Sequence, residues 1–199
     1  FKHGSKTGQV GIALQIVDGG IMDGVIVDNI LIEGTKCPIF VRLANRARKH
    51  IPEAPEPGQG KMRNISLSNI TANNTGNYGC SITGIPGALI ENITLSNIRL
   101  SNNAGLKRGE YTSDFTKVTE QEKGFPSPSG WGNLPSYGLF IRHVQNISLG
   151  DLSLNPLAPE LRVPVIAVDV DKLTLQNLKV KGDPFRDIQL SEVRSFKNL

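Results

Sequence analysis

The fold class this sequence predicts is all-β, a parallel β-helix of the solenoid kind, and three observations predict it. A short strand phrase of the form x-N-I-x-L-x-N-I-x-L recurs five times. Within each copy, apolar and polar residues alternate with period two, and no 3.6-residue period appears. The copies follow one another at intervals that indicate a solenoid rather than a mixed fold.

Taken in order, the copies are "GVIVDNILIEG" (24–34), "RNISLSNITANN" (63–74), "ENITLSNIRLSNN" (91–103), "QNISLGDLSLN" (145–155) and "DKLTLQNLKVKG" (171–182). Asn29, Asn69, Asn97, Asp151 and Asn177 hold the same place in successive copies, 40, 28, 54 and 26 residues apart. Two intervals are therefore near the basic period and two carry insertions. In such a fold each turn lies on the previous one at about 4.8 Å, so equivalent Ile and Leu residues stack into a core no single turn could bury. The recurring Asn marks a corner, because it tolerates left-handed backbone angles and its amide can bond backbone groups above and below. Three copies contain N-x-S/T at four places, Asn64, Asn69, Asn92 and Asn146, and Asn73 begins another. The repeat alone explains the first four without glycosylation.

The insertions fall at about 46–61, "RARKHIPEAPEPGQGK", and about 105–138, "GLKRGEYTSDFTKVTEQEKGFPSPSGWGNLPSYG". Insertions are where solenoids do chemistry, since the strands are packed and the loops are free to vary. The second holds Tyr111, Phe115, Phe125, Trp131 and Tyr137, which serve either as sugar-stacking platforms or as a small satellite core that holds the loop down.

With 38% hydrophobic and 20% charged residues, and 21 Gly and 12 Pro, the composition is that of a turn-rich globular chain. No apolar run approaches the roughly 18 residues that span a bilayer as a helix. The opening "FKHGSKTGQ" has no signal-like character. It shows no cap for the solenoid, whereas the close, "DPFRDIQLSEVRSFKNL", is polar enough to finish one, so the 199 residues are expected to be a single β-helix domain that is the C-terminal part of a longer one. A net charge of +4 suits nucleic acid, an anionic membrane or an acidic polysaccharide, or is an ordinary solvated surface. Cys37 and Cys80 lack metal-ligand spacing and read as buried thiols first and a disulfide second.

The phrases "GIALQIVDGG" (11–20), "PIFVRLANR" (38–46), "SITGIPGALIENITLSNI" (81–98), "EKGFPSPSGWGNLPSYG" (122–138) and "YGLFIRHV" (137–144) occur in this order. Through them nearly the whole chain resembles the C-terminal half of glycoside hydrolase family 28, the polygalacturonase and rhamnogalacturonase family, in its Bacteroidetes-type branch. The resemblance implies a right-handed parallel β-helix that hydrolyses pectic polysaccharides with inversion. It implies a secreted or periplasmic protein whose partner is a pectic polysaccharide or oligosaccharide, with no cofactor, no metal, and neither nucleic acid nor membrane as partner. Inversion needs a carboxylic acid and a carboxylate roughly 6.5–9.5 Å apart. The family's Asn-Thr-Asp, Asp-Asp and Gly-His-Gly segments do not occur in this sequence, so no catalytic residue is expected within it and the acidic motifs are expected before Phe1. The family's Gly-Ile-Arg-Ile-Lys corresponds to Gly11-Ile12-Ala13-Leu14-Gln15, with both cations replaced. A neutral sugar or a rearranged subsite is then implied.

The candidate substrate-binding residues are Gln15, Arg42, Asn45, Arg46, Lys123, Trp131, Tyr137, Arg142 and His143. Arg42 lies among apolar residues and must be paired or face a cleft. Arg46 offers bidentate geometry to a carboxylate, or simply opens the loop. Strand alternation requires one of Arg142 and His143 to face outward. His143 either donates to a sugar hydroxyl or is structural. Trp131 is the stacking candidate, while Lys123 and Tyr137 match the family branch. Asp18, before Gly19-Gly20, reads as a turn residue, and Asp169 and Asp171 as a solvated strand edge. The alternative to an enzyme is a non-catalytic carbohydrate-binding or structural β-helix. A polysaccharide lyase would need an Asp-rich calcium site, which the sequence does not show.

Overall fold

The computed structural model describes residues 9–181 and 188–199. The opening phrase from Phe1 to Gly8 and the "GDPFRD" segment of the polar close fall outside them. The described residues form nine strands in one parallel sheet. They are β1 (Val10–Ile16), β2 (Ile21–Glu33), β3 (Cys37–Leu43), β4 (Lys61–Thr75), β5 (Cys80–Thr83), β6 (Glu91–Asn102), β7 (Ser136–Pro156), β8 (Val163–Val180) and β9 (Ile188–Asn198).

The long strands bend at corners and so run along more than one face. One face stacks β1, β3, β5 and the first parts of β7, β8 and β9. The others stack β2, β4, β6 and the later parts of β7, β8 and β9. The result is an all-β, solenoid-like wrapping around one narrow core. Its columns are the stacked Ile and Leu of the repeat. One column is Val25, Ile65, Ile93, Ile147, Leu173 and Phe196, and another is Ile30, Ile70, Ile98, Leu152 and Leu178. Ile65, Leu67, Ile70, Ile93, Leu95, Ile98, Ile147, Leu149, Leu152, Leu173 and Leu175 are all buried. One buried Ile or Leu side chain contributes roughly 1.5–3 kcal/mol by leaving water.

The corner reading is met at every copy. Asn29, Asn69, Asn97, Asp151 and Asn177 all have left-handed backbones, with φ of 58, 53, 51, 51 and 55°. Asn64 and Asn92 adopt the same conformation. The amides bond one another rather than the backbone: Asn97 Nδ2 donates to Asn69 Oδ1 at 2.6 Å and Asn177 Nδ2 to Asp151 Oδ1 at 3.1 Å. Asn146 donates to Asn92 at 3.1 Å and Asn92 to Asn64 at 3.0 Å, so the sequon amides are engaged in ladders. The Asn177 pair rests on Asp151 of β7, and the earlier corner amides rest on carboxylates of β2. Asn64 donates to Asp23, Asn69 to Asp28 and Asn74 to Glu33.

The connection from β3 to β4 covers 44–60 and that from β6 to β7 covers 103–135. Tyr137 therefore belongs to β7 and not to the insertion. Its side chain lies in the main core, 7% exposed. Cys37 and Cys80 are free, buried thiols.

Candidate functional site

The site-bearing surface is the outer side of the β1–β3–β5–β7–β8 face. Alternation sends Ile39, Val41, Ile82, Ile141 and Ala167 into the core, so their neighbours point out. Two outward rows result. One is Ala13, Phe40, Ser81, Phe140 and Ile166; the other is Gln15, Arg42, Thr83, Arg142 and Val168. Ala13 and Gln15 of β1 thus lead directly into Phe40 and Arg42.

The second insertion folds across these rows. Val118 and Leu134 bury against Phe140 and Ile166, with Phe115 and Trp131 packed at the margin. Trp131 lies 5.9 Å from the Phe40 ring, centroid to centroid. Of the two readings of the loop aromatics, these residues form the satellite core. Trp131 Nε1 donates to Thr119 O at 2.8 Å, and the Arg42 guanidinium stands 5.1 Å from the indole centroid.

The cationic candidates are spent on the same loop. Arg42, 1% exposed, donates to Thr83 Oγ1 at 3.2 Å, to Gly84 O at 2.9 Å and to Glu120 O. Burial is the main reason its guanidinium is pulled down to about 10, with Arg142 adding repulsion and Glu120 and Glu122 opposing it. Arg142 donates to Val118 O at 2.7 Å and Thr119 O at 2.9 Å, and meets Glu120 Oε1 at 3.1 Å. Gln15 Nε2 donates to Pro126 O at 3.1 Å. A further anchor carries no motif in the sequence: Arg162, paired with Glu160 at 2.8 Å, donates to Asn77 O and Leu134 O and lies under the Tyr111 ring.

His143 differs from the expected choice between inward and outward. Its φ of 57° breaks the strand alternation, so Arg142 and His143 are both buried, at 5% and 7% exposure. The imidazole sits between two carboxylates, Nδ1 at 2.6 Å from Asp169 and Nε2 at 3.2 Å from Glu120. Burial pulls the His143 pKa down, but the bonds to Glu120 and Asp169 outweigh it and hold the group above its ordinary value. Burial raises Glu120, and His143, Arg142 and Arg42 more than offset that and leave it below the ordinary carboxylate value. Asp169, read from the sequence as strand edge, is instead a corner residue with φ of 50°. Asp171 pairs with Arg194 at 2.8 Å. Glu120 and Asp169 grip opposite nitrogens of one ring, so the imidazole fills the space that sugar and water need in an inverting hydrolysis.

The exposed chemistry lies at the edge of the loop, near β1. Phe125 is 76% exposed and its ring stands 5.8 Å from the Arg46 guanidinium. Arg46 is gripped by Asp18 through two bonds, and Arg48 N–H also donates to Asp18 at 2.9 Å. Asp18 is thereby lowered to about 2, the Arg46 bond being the largest cause. Asn45 N–H donates to Glu122 O at 3.1 Å, while its buried Oδ1 has no partner. Lys123 is exposed two residues from Phe125. The structure thus brings Gln15, Asn45, Arg46 and Lys123 to one margin, gathers Arg42, Trp131, Arg142 and His143 under the loop, and leaves Tyr137 in the core.

Elsewhere, a groove of about 370 Å³ lined by Asn92, Thr94, Asn146, Ser148, Lys172 and Thr174 runs over the outer side of β6, β7 and β8. Among the described residues, no three His, Cys, Asp or Glu side chains gather as metal ligands would. No helix among them is long and apolar enough to cross a membrane.

Comparison of the chain with known protein families, with curated proteins and with solved structures finds no match in any of the three.

Proposed function

We propose that this chain is part of a pectin-degrading glycoside hydrolase of the family 28 type, built as a right-handed parallel β-helix, and that it supplies glycan-binding surface rather than the catalytic acid and base. The observation that carries the reading is the Phe125–Arg46 margin. An exposed aromatic face beside a guanidinium, where the insertion meets the 44–60 connection and Gln15 of β1 bonds Pro126 O, suits a sugar ring that carries a carboxylate or a polar substituent. The Asp18 bridge fixes the Arg46 side chain in place, so little rotamer entropy is lost on binding. The ordered Asn corners support the β-helix reading, and the sequence phrases support the family.

A second reading, a binding β-helix without hydrolysis, is favoured by one further observation. Asp18, Asp23, Asp28, Glu33, Glu120, Glu160, Asp169 and Asp171 each hold a cation, a hydroxyl or an amide. The experiment is reducing-end release from polygalacturonan and rhamnogalacturonan by the longer protein of which the first reading makes this chain a part, run beside retention on the same polymers. Hydrolysis with retention supports the enzyme; retention alone supports the binding module; neither refutes both.

A further inference from the structure

The second insertion is seated on the solenoid through one titratable joint. His143 belongs to β7, Asp169 to β8 and Glu120 to the insertion, and the imidazole bridges the last two. The only other charged side chain meeting Glu120 from β7 is Arg142, which also donates to the carbonyls of Val118 and Thr119. Arg42 on β3 adds a bond to the Glu120 carbonyl. Glu192 on β9 stands next in the same corner column, with φ of 54°, and Asp171 beyond it is taken by Arg194. The loop segment 118–120 is therefore held by three cationic side chains, of which only His143 changes charge near neutral pH.

We infer that His143, clamped between Glu120 and Asp169, is a pH-sensitive latch that keeps the insertion seated over the outer face while protonated and loosens it when neutral. A neutral imidazole donates from one nitrogen only, so it satisfies one of the two carboxylates and leaves the other facing a lone pair. That contact is then lost, and Glu120, 36% exposed and left with Arg142 alone, is the carboxylate free to turn towards water with the loop. The direction of the His143 shift agrees with this. Its pKa is raised in the folded state, so its contribution is complete below the ordinary imidazole value and is lost as pH rises through the folded value. Glu120, shifted the opposite way, contributes above the ordinary carboxylate value and is lost as pH falls through its own folded value. The seat is thus firm in a window bounded by the folded Glu120 titration below and the folded His143 titration above. Loosening uncovers Arg42 and Arg142, two guanidiniums on an outer row that runs on from Gln15.

The chain carries its own reporter, because Trp131 is its sole tryptophan, belongs to the insertion and packs on the Arg42 guanidinium of β3. Trp131 emission and protection of the Asn45 amide, which donates to Glu122 O of the insertion, are followed from about pH 5 to about pH 9, a range that brackets imidazole titration, with far-UV circular dichroism as the check on the solenoid. The expected wild-type result is a single red shift above the ordinary imidazole value, with protection at Asn45 falling several-fold and the dichroism unchanged. His143→Gln abolishes the step. Glu120→Gln, which keeps the size and removes the charge, moves it to lower pH. A flat wild-type trace across the range, or a step that survives in His143→Gln, overturns the latch. Should His143→Gln lose the fold, the Glu120→Gln shift alone decides, and an unmoved midpoint there also overturns it.

Discussion

Replacing Arg42 with alanine tests whether the outer-face arginines hold the insertion. The side chain is 1% exposed and donates to Thr83 Oγ1, Gly84 O and Glu120 O while lying against Trp131. A hydrogen bond from a charged group is worth roughly 1.5–3 kcal/mol, and leaving an acceptor orphaned adds to the loss. The indole contact adds about 0.5–2 kcal/mol. These terms are not additive, since the Thr83 hydroxyl turns to other partners and the cavity admits water. A net loss of about 3–5 kcal/mol, the range for breaking a buried charged cluster, is the reasonable figure. Most of it falls on loop docking, because Thr83 and Gly84 remain in the core ladder. At about 1.4 kcal/mol per decade, protection of the Asn45 amide, which donates to Glu122 O of the insertion, should fall by roughly two to three orders of magnitude. Protection in β4 and β6 should change far less. The assay is native-state hydrogen exchange read by mass spectrometry or NMR. Protection at Asn45 that stays within a few-fold of wild type refutes the reasoning, because the loop would then be held by its apolar patch alone. Arg142→Ala should act on the same segment, and the double variant should be non-additive because both side chains meet Glu120.

Other outcomes follow from the same structure. Asn97→Ala loses the 2.6 Å bond to Asn69 and forces alanine to a φ of 51°, which costs about 1–2 kcal/mol for the backbone and about 1 kcal/mol for the bond; Asn97→Gly should cost less, both read as the urea midpoint. Gly84→Ala places a Cβ 2.6 Å from the Ala88 and His143 carbonyl oxygens, so it should destabilise by about 1–3 kcal/mol in the same assay. The Asp18 carboxyl, lowered to about 2, should return towards the ordinary range in Arg46→Ala, as followed by NMR titration. Because that pKa is depressed, its contribution is present above the ordinary carboxylate value and is lost as pH falls towards about 2. Burial raises Cys80 to about 12 and lifts Cys37 as well, so neither thiol should react with a disulfide reagent at neutral pH until the chain unfolds.

The sequence carried the solenoid in its period-two phrases, because a stacked core demands the same residue type at the same place in each turn. The corner at Asn69 was legible for the same reason: an amide that tolerates a left-handed backbone recurs where the chain must bend. What was not legible is the destination of the insertion. Its seat depends on Arg42, Arg142 and Arg162 reaching the carbonyls of Val118, Thr119, Glu120 and Leu134, and backbone acceptors leave no trace in residue identities. "PIFVRLANR" says that Arg42 needs a partner or a cleft, yet a carbonyl cluster more than 75 residues away cannot be read from it. Strand alternation cannot place His143, since one left-handed residue resets the phase of the strand. In the sequence Phe125 is one aromatic among five, with nothing to set it apart from Phe115 and Trp131, which pack on the Phe140 patch.

The measurement that bears most directly on the proposed function is calorimetric titration of the protein with pectic oligosaccharides, comparing wild type with Phe125→Ala and Arg42→Ala. If the exposed margin meets the glycan, Phe125→Ala should weaken binding by roughly one to two orders of magnitude, as loss of about 1–3 kcal/mol of ring contact implies. Arg42→Ala should weaken binding only as far as it unseats the loop that carries Phe125. Binding that is unchanged in Phe125→Ala would contradict the account, because the sugar would then be read by another surface.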